Sequence, residues 1–225
     1  MAVILSDQSF STIRWLLQEL NDPFAVFPLQ DVARSLGESI ADSEEAFRER
    51  EGSGGVARKY WDVPMEMLDH GIGVAIGATF VLGQAAITQA VSMVAQIRKL
   101  VGDDTCEIPK GKIALLEFKA TAVLKNNLNS IIIIDTAANY FKHYHEWPKD
   151  WHHFQGSAAQ SSTMKNAKCI GLQGHDLNIN MGVVLKALEL NTSDVFKVPM
   201  IVHAWRKRVA VYLCRKIGLP LEIID

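Results

Sequence analysis

Asn139 and His143 stand four residues apart in a segment, Ser130 to Trp151, that opens with four isoleucines and continues Asp135-Thr136-Ala137-Ala138-Asn139-Tyr140-Phe141-Lys142-His143-Tyr144-His145-Glu146-Trp147. On a helix that spacing puts both side chains on one face. Thr136 and Glu146 fall near the same stripe, while Ile133, Ala137, Tyr140 and Tyr144 trace another. An imidazole shuttles protons near neutral pH, and an amide one turn away can orient it or hold a phosphate oxygen. The pair suits RNA cleavage by 2′-hydroxyl attack, which needs acid–base help and charge stabilisation but no metal. The competing reading is a hydrogen-bonded packing histidine among aromatics.

Other chemistries find less support. His143, His145, His152 and His153 cluster, and imidazole is the commonest transition-metal ligand. Yet His143 and His145 cannot converge on one helix face, and neither an HExxH pattern nor a Cys/His spacing is present. No GxSxG elbow marks a hydrolase triad. Cys106, Cys169 and Cys214 are far apart and form no CxxC pair, as expected of reduced thiols packed as small core residues. The expectation is therefore no metal and no cofactor. Gly52-Ser53-Gly54-Gly55 lacks the lysine and Ser/Thr that close a phosphate loop and reads as a flexible joint.

The elements that must position the pair are helical. Ser6-Asp7 caps a first helix to about Leu20, and a second runs from about Leu29 to Arg50 with an acidic outer side (Glu38, Asp42, Glu44, Glu45, Glu49) that reads as solvated. Residues 1–51 form a helical extension, and 56–225 a helical bundle carrying the motif helix. Helical structure from Pro64 to about Val101 contains glycines at 71, 73, 77 and 83, which permit close approach of another bundle helix or of a second copy. A helix over Lys112 to Lys125 follows, then the central helix, capped by Ser130 and ended by Pro148. The isoleucine run alone would also suit a buried strand; the length of the pattern favours helix. Trp147 and Trp151 anchor its end in the core, with base stacking the alternative. Ser157 to Ile170, Gly182 to Leu190 and Pro199 to Ile217 complete the helices. The last carries Arg206-Lys207-Arg208 and Arg215-Lys216, read as solvated surface with a phosphate or acidic-partner patch as the alternative. Strand signals are confined to Val3-Ile4-Leu5 and Phe196-Lys197-Val198. The class is mostly α.

With 225 residues, 48% of them hydrophobic, the chain can bury a substantial core. A formal charge of −2 gives no global field toward nucleic acid or an acidic membrane, so an RNA contact must rest on a local patch. Met1 to Leu5 is too short for a secretory h-region, and the apolar run Gly71 to Gly83 falls short of the roughly 20 residues a span requires. A cytoplasmic, non-membrane protein is expected.

Ala138-Asn139-Tyr140-Phe141-Lys142-His143 resembles the signature helix of the HEPN superfamily, all-α domains with an Arg-Asn-x-x-x-His motif. The longer run Asn139 to Trp147 is similar to a group of bacterial proteins associated with that superfamily. The resemblance implies a metal-independent endoribonuclease of a toxin–antitoxin, CRISPR or phage-defence system, or its inactivated derivative. It also implies a homodimer that brings two motif helices together and an antitoxin or defence protein as possible partner. Asn139 matches the motif asparagine and His143 its histidine. Ala138 stands where the family has its catalytic arginine, so Lys142 or the C-terminal basic helix would supply the missing charge. The alternative is a non-catalytic module that binds RNA, a nucleotide or a protein.

Overall fold

The computed structural model describes residues 6–23, 27–52, 62–102, 107–120, 127–147, 157–173 and 176–224. These form helices α1 (Asp7–Asn21), α2 (Phe27–Gly52), α3 (Asp62–Val101), α4 (Lys112–Glu117), α5 (Ser130–Lys142), α6 (Ala158–Ile170), α7 (Leu177–Ala187) and α8 (Lys197–Ile217), with short 3-10 turns at Thr192–Asp194 and Leu221–Ile223. No strand occurs among the described residues. Lys197 and Val198, given a strand signal by their β-branched and aromatic neighbours, lie in the first turn of α8. Val3-Ile4-Leu5, Cys106, Pro148, Trp151, His152, His153 and Ser53 to Gly55 lie outside the described residues.

α3 is the hub, packing against α1, α2, α5, α7 and α8. By length and composition its stretch His70–Val101 could cross a membrane, longer than the thirteen-residue run implied, but about half of it is buried inside this bundle. Its apolarity has a sufficient cause in being surrounded by other helices. Ile13, Leu16, Leu17 and Leu20 of α1 and Ile40 of α2 belong to the same core as α3 and α5.

The α3 glycines make that surrounding possible. A Cβ at Gly83 would meet Ile134 of α5 at 3.0 Å and Val198 of α8 at 3.1 Å, and one at Gly73 would meet the Asn178 backbone of α7 at 3.0 Å. A Cβ at Gly77 would sit inside the Phe141 ring. Going up α5 from Ile134 to Phe141 goes down α3 from Gly83 to Gly77, so the two helices lie antiparallel at close range. Gly71 meets nothing.

Two helix ends differ from the expected ones. α4 stops at Glu117 because α8 takes the next carbonyls: Trp205 Nε1 donates to Phe118 O at 2.9 Å and Arg208 Nε to Lys119 O at 2.9 Å. Lys119 turns the chain with φ +51. α7 begins at Leu177, earlier than expected, because Asp176 accepts from Ile179 N at 2.9 Å and caps it.

Cys214 is fully buried in α8 and unbridged. Burial pushes its thiol from the ordinary 9.0 up to about 11. The folded thiol thus holds its proton more tightly than the unfolded one. Its contribution to stability is present below about pH 9 and is lost as pH rises toward about 11. Brief alkylation at pH 8.5 is expected to leave Cys214 unmodified in the native protein and to label it in urea, read by peptide mass; equal labelling in both would contradict the burial.

Candidate functional site

α5 begins on a cap one residue before the expected Ser130. Asn129 Oδ1 accepts from Ile131 N at 2.9 Å and Ile132 N at 3.0 Å, while Nδ2 donates to Leu116 O at 3.1 Å. One amide thus starts α5 and ties it to the end of α4. Ser130 is already helical and buried. α5 ends at Lys142, short of Pro148, with His143 as its C-cap at φ −116. There the chain doubles back, and Trp147 Nε1 donates to Tyr140 O at 3.2 Å with its ring stacked over Tyr140 at 6.4 Å. The indole takes a carbonyl that another turn of helix would have used. Trp147 is therefore the expected core anchor, 5% exposed.

Tyr140 is held from the other side. Asn180 of α7 donates to its hydroxyl at 2.7 Å and grips the Gln173 backbone, donating to its carbonyl at 2.9 Å and accepting from its N–H at 2.8 Å. Burial raises the Tyr140 phenol above its ordinary range, against the Asn180 bond. Every polar atom of this buried cluster has a partner, which holds the carboxyl end of α5 in one place.

One face of α5, buried at Asp135 and exposed at His143, carries the candidate chemistry. Asp135, Asn139 and His143 follow one another at intervals of four. Asp135 Oδ1 accepts from Lys112 Nζ of α4 at 2.6 Å and from Gln84 Nε2 of α3 at 2.7 Å; Gln84 also donates to Asn139 Oδ1 at 3.0 Å. Asn139 Nδ2 reaches Asp135 Oδ2 at 3.4 Å. His143 Nδ1 faces Glu146 Oε1 at 3.1 Å. A carboxylate can only accept, so in the neutral ring this contact is made by the tautomer with N–H at Nδ1 and the lone pair at Nε2. His143 and Glu146 side chains are 49% and 62% exposed, so this pair orients a ring far more than it stabilises the fold.

Lys112, Asn139, His143 and Glu146 share an open cavity of about 280 Å³. Its lining comes from Lys112 of α4, Asn139 of α5, His143, Glu146 and Trp147 of the turn after α5, and Gln160 and Thr163 of α6. Asn139 and His143 are thus brought together as their spacing implied. Lys142 is exposed at the end of α5 and is not among the lining residues. Ala138 is fully buried in the core.

Among the described residues the cation that lines the cavity is Lys112, which sequence reasoning treated only as the start of a helix. Asp135 and Gln84 were missed as well. The available signal was an aspartate inside an isoleucine run, one turn before Asn139. Partners in α3 and α4 leave no local trace.

The C-terminal basic cluster is solvated surface only in part: Lys207, Arg215 and Lys216 are exposed as expected, whereas Arg206 and Arg208 are drawn inward. Arg206 is fully buried, its Nη1 on Gln89 Oε1 at 3.2 Å and its Nη2 on Glu19 O at 2.7 Å. Arg208 holds the Lys119 carbonyl, and Lys216 pairs with Glu107 at 2.7 Å. Charges arranged i, i+2 on a helix face different ways, and α1 and the 118–119 turn happen to meet two of them. Among the described residues no three His, Cys, Asp or Glu side chains converge as a metal site would require.

No protein-family model matches the chain, and neither does any curated protein or solved structure.

Proposed function

We propose that the cavity at the end of α5 is the active site of a HEPN-like, metal-independent endoribonuclease. The observation that carries this reading is one cavity holding Asn139, Lys112 and a His143 ring whose Nδ1 is turned to Glu146. In the reaction His143 Nε2 takes the proton of an RNA 2′-hydroxyl. The 2′-oxygen forms a bond to the adjacent phosphorus, and the phosphorus–5′-oxygen bond breaks to leave a 2′,3′-cyclic phosphate. The departing 5′-oxygen takes a proton from water, and the imidazolium gives its proton to the hydroxide left behind, which restores the neutral ring. Asn139 has one amide N–H not used by Asp135, and it offers that donor to a non-bridging phosphate oxygen. A bacterial toxin–antitoxin or phage-defence setting, a homodimer and a protein antagonist follow from the resemblance and belong to the same proposal.

The test is cellular RNA incubated with the purified protein in EDTA. Cleavage by the wild type that falls at least about 100-fold in His143→Ala is expected, general acid–base catalysis contributing about 10²–10⁴. Intact RNA with the wild type would sink the assignment.

A second reading is a non-catalytic binding module. What favours it is that Ala138 is core and that Asp135 neutralises Lys112, so the cavity has little net positive charge for a transition state. RNA bound but uncut, at wild-type and His143→Ala alike, is its expected signature.

A further inference from the structure

The Asp135 carboxylate gathers donors from three helices and is itself almost closed off, its side chain 12% exposed. The Lys112 side chain that it holds is 40% exposed. An ammonium has three N–H bonds, and among the described residues Asp135 takes one of them. The other two remain for the cavity.

The α6 part of the lining is built in the same sense. Gln160 closes a capping box at the start of α6: its Oε1 accepts from Ser157 N at 2.9 Å. The acceptor end of that amide is thereby occupied, and its NH₂ end remains. Thr163 follows one turn later with a hydroxyl. Asn139 is fixed likewise, its Oδ1 on Gln84 and one N–H left over. Against these donors the described lining offers the His143 Nε2 lone pair and the Glu146 carboxylate, which already faces His143 Nδ1. Among the described residues the lining has more hydrogen-bond donors than acceptors, and one of the donors is an ammonium, paired with Asp135. A ligand that fits must bring acceptor oxygens, and charged ones gain most.

We propose that Lys112 binds a phosphate oxygen of the ligand in this cavity, and that Asp135 is a positioning residue holding Lys112 and Asn139 toward the same spot. The oxygen is carried by an RNA phosphodiester or by free phosphate. The inference rests on the ribonuclease reading for its choice of RNA and deepens it by naming the cation, which comes from α4 and not from Lys142 or α8.

The experiment is equilibrium binding of a 2′-O-methyl RNA oligonucleotide, which cannot be cut by 2′-attack, over a series of salt concentrations. Inorganic phosphate is titrated in parallel. Lys112→Met is expected to weaken oligonucleotide binding about tenfold or more and to reduce the slope of log affinity against log salt by about one. Lys112→Arg is expected to keep binding within about threefold, which separates lost charge from lost fold. Asp135→Asn keeps the size of the side chain but loses the charge that holds the ammonium, so a folded Asp135→Asn protein is expected to bind the oligonucleotide more weakly than wild type, with the salt slope reduced toward that of Lys112→Met; binding as tight as wild type or tighter would remove the positioning role of Asp135. Lys112-dependent binding of phosphate without oligonucleotide binding assigns the cavity to free phosphate and keeps Lys112 as its cation. Wild-type affinity and slope in Lys112→Met, or no binding of either probe to the wild type, overturns the proposal. The two readings fail separately. Lys112-dependent RNA binding with no cleavage in EDTA sinks the ribonuclease alone, whereas cleavage with Lys112→Met binding unchanged sinks the role of Lys112 alone.

Discussion

Gly77→Ala is expected to lower the free energy of unfolding by about 2 kcal/mol, although alanine is the better helix former by about 1 kcal/mol. The added methyl would lie 2.5 Å from Phe141 Cγ and Cε2 and closer still to Cδ2, well inside carbon–carbon contact. An aromatic ring cannot yield by rotating one bond, as the tip of a lysine can. Phe141 packs against the core in the last turn of α5, so the helix itself must shift. Gly71→Ala supplies the control within the same helix, since nothing lies within 4 Å of its added carbon. That variant is expected to gain about 0.5–1 kcal/mol. The same propensity gain enters both, so the gap of about 3 kcal/mol between them measures the contact with Phe141 alone. Urea unfolding of the two variants reads it, and equal midpoints would mean that α3 and α5 do not approach closely at Gly77. The displaced turn also bears Asn139 and His143. Any activity in the cavity should therefore fall in Gly77→Ala and not in Gly71→Ala, even at temperatures where both remain folded.

Arg206→Ala is expected to cost about 3–4 kcal/mol, against less than half of that for Arg206→Met. Arg206 is among the largest fully buried side chains. α1 has no basic residue in its last turn, and the Arg206 guanidinium, arriving from α8, takes the Glu19 carbonyl there. A cation at the negative end of a helix is stabilised by the aligned peptide dipoles. Alanine would remove that partner and leave a void between α1, α3 and α8. Methionine fills most of the void and discards the charge. Burial acts against that charge, lowering the Arg206 pKa from its ordinary value, and Nε has no hydrogen-bond partner. Losing an incompletely paired buried charge offsets much of the lost hydrogen bonding. If methionine proved as damaging as alanine, the ionic contact with α1, and not the packing, would carry the stability. His203, one turn earlier, also has its pKa lowered, first by burial and then by Arg206 and Lys207. In Arg206→Met the Arg206 repulsion goes, so the His203 pKa should rise, a change that NMR titration of the ring can follow.

How much of this protein is legible in its residues differs from element to element. The helices were readable because their determinants are local. Ser6 before α1, Ser157 and Gln160 at α6 and Gly171 after it are caps whose hydrogen bonds span a few residues. The apolar stripes of α1 and α8 repeat at helical spacing. The small residues of α3 announced close approach to a bundle helix or to a second copy, and at Gly73, Gly77 and Gly83 a bundle helix fills the space. The meeting of Asn139 and His143 was likewise readable, since four residues on α5 determine it.

Tertiary structure decided everything that depends on a partner distant in the chain. α4 and α5 both end before their periodicity does, because Trp205, Arg208 and Trp147 take carbonyls that helix continuation would have used. A basic run that looked like surface became a buried clasp at Arg206 when α1 ended beside it. The cavity obtained its cation from Lys112, 23 residues before the carboxylate that holds it, and its inner hydrogen bonds from Gln84, 51 residues before. Spacing along a chain specifies which side chains share a helix face. It carries no record of which helices will lie next to one another, and the charge and hydrogen-bond balance of this cavity is settled only by that packing.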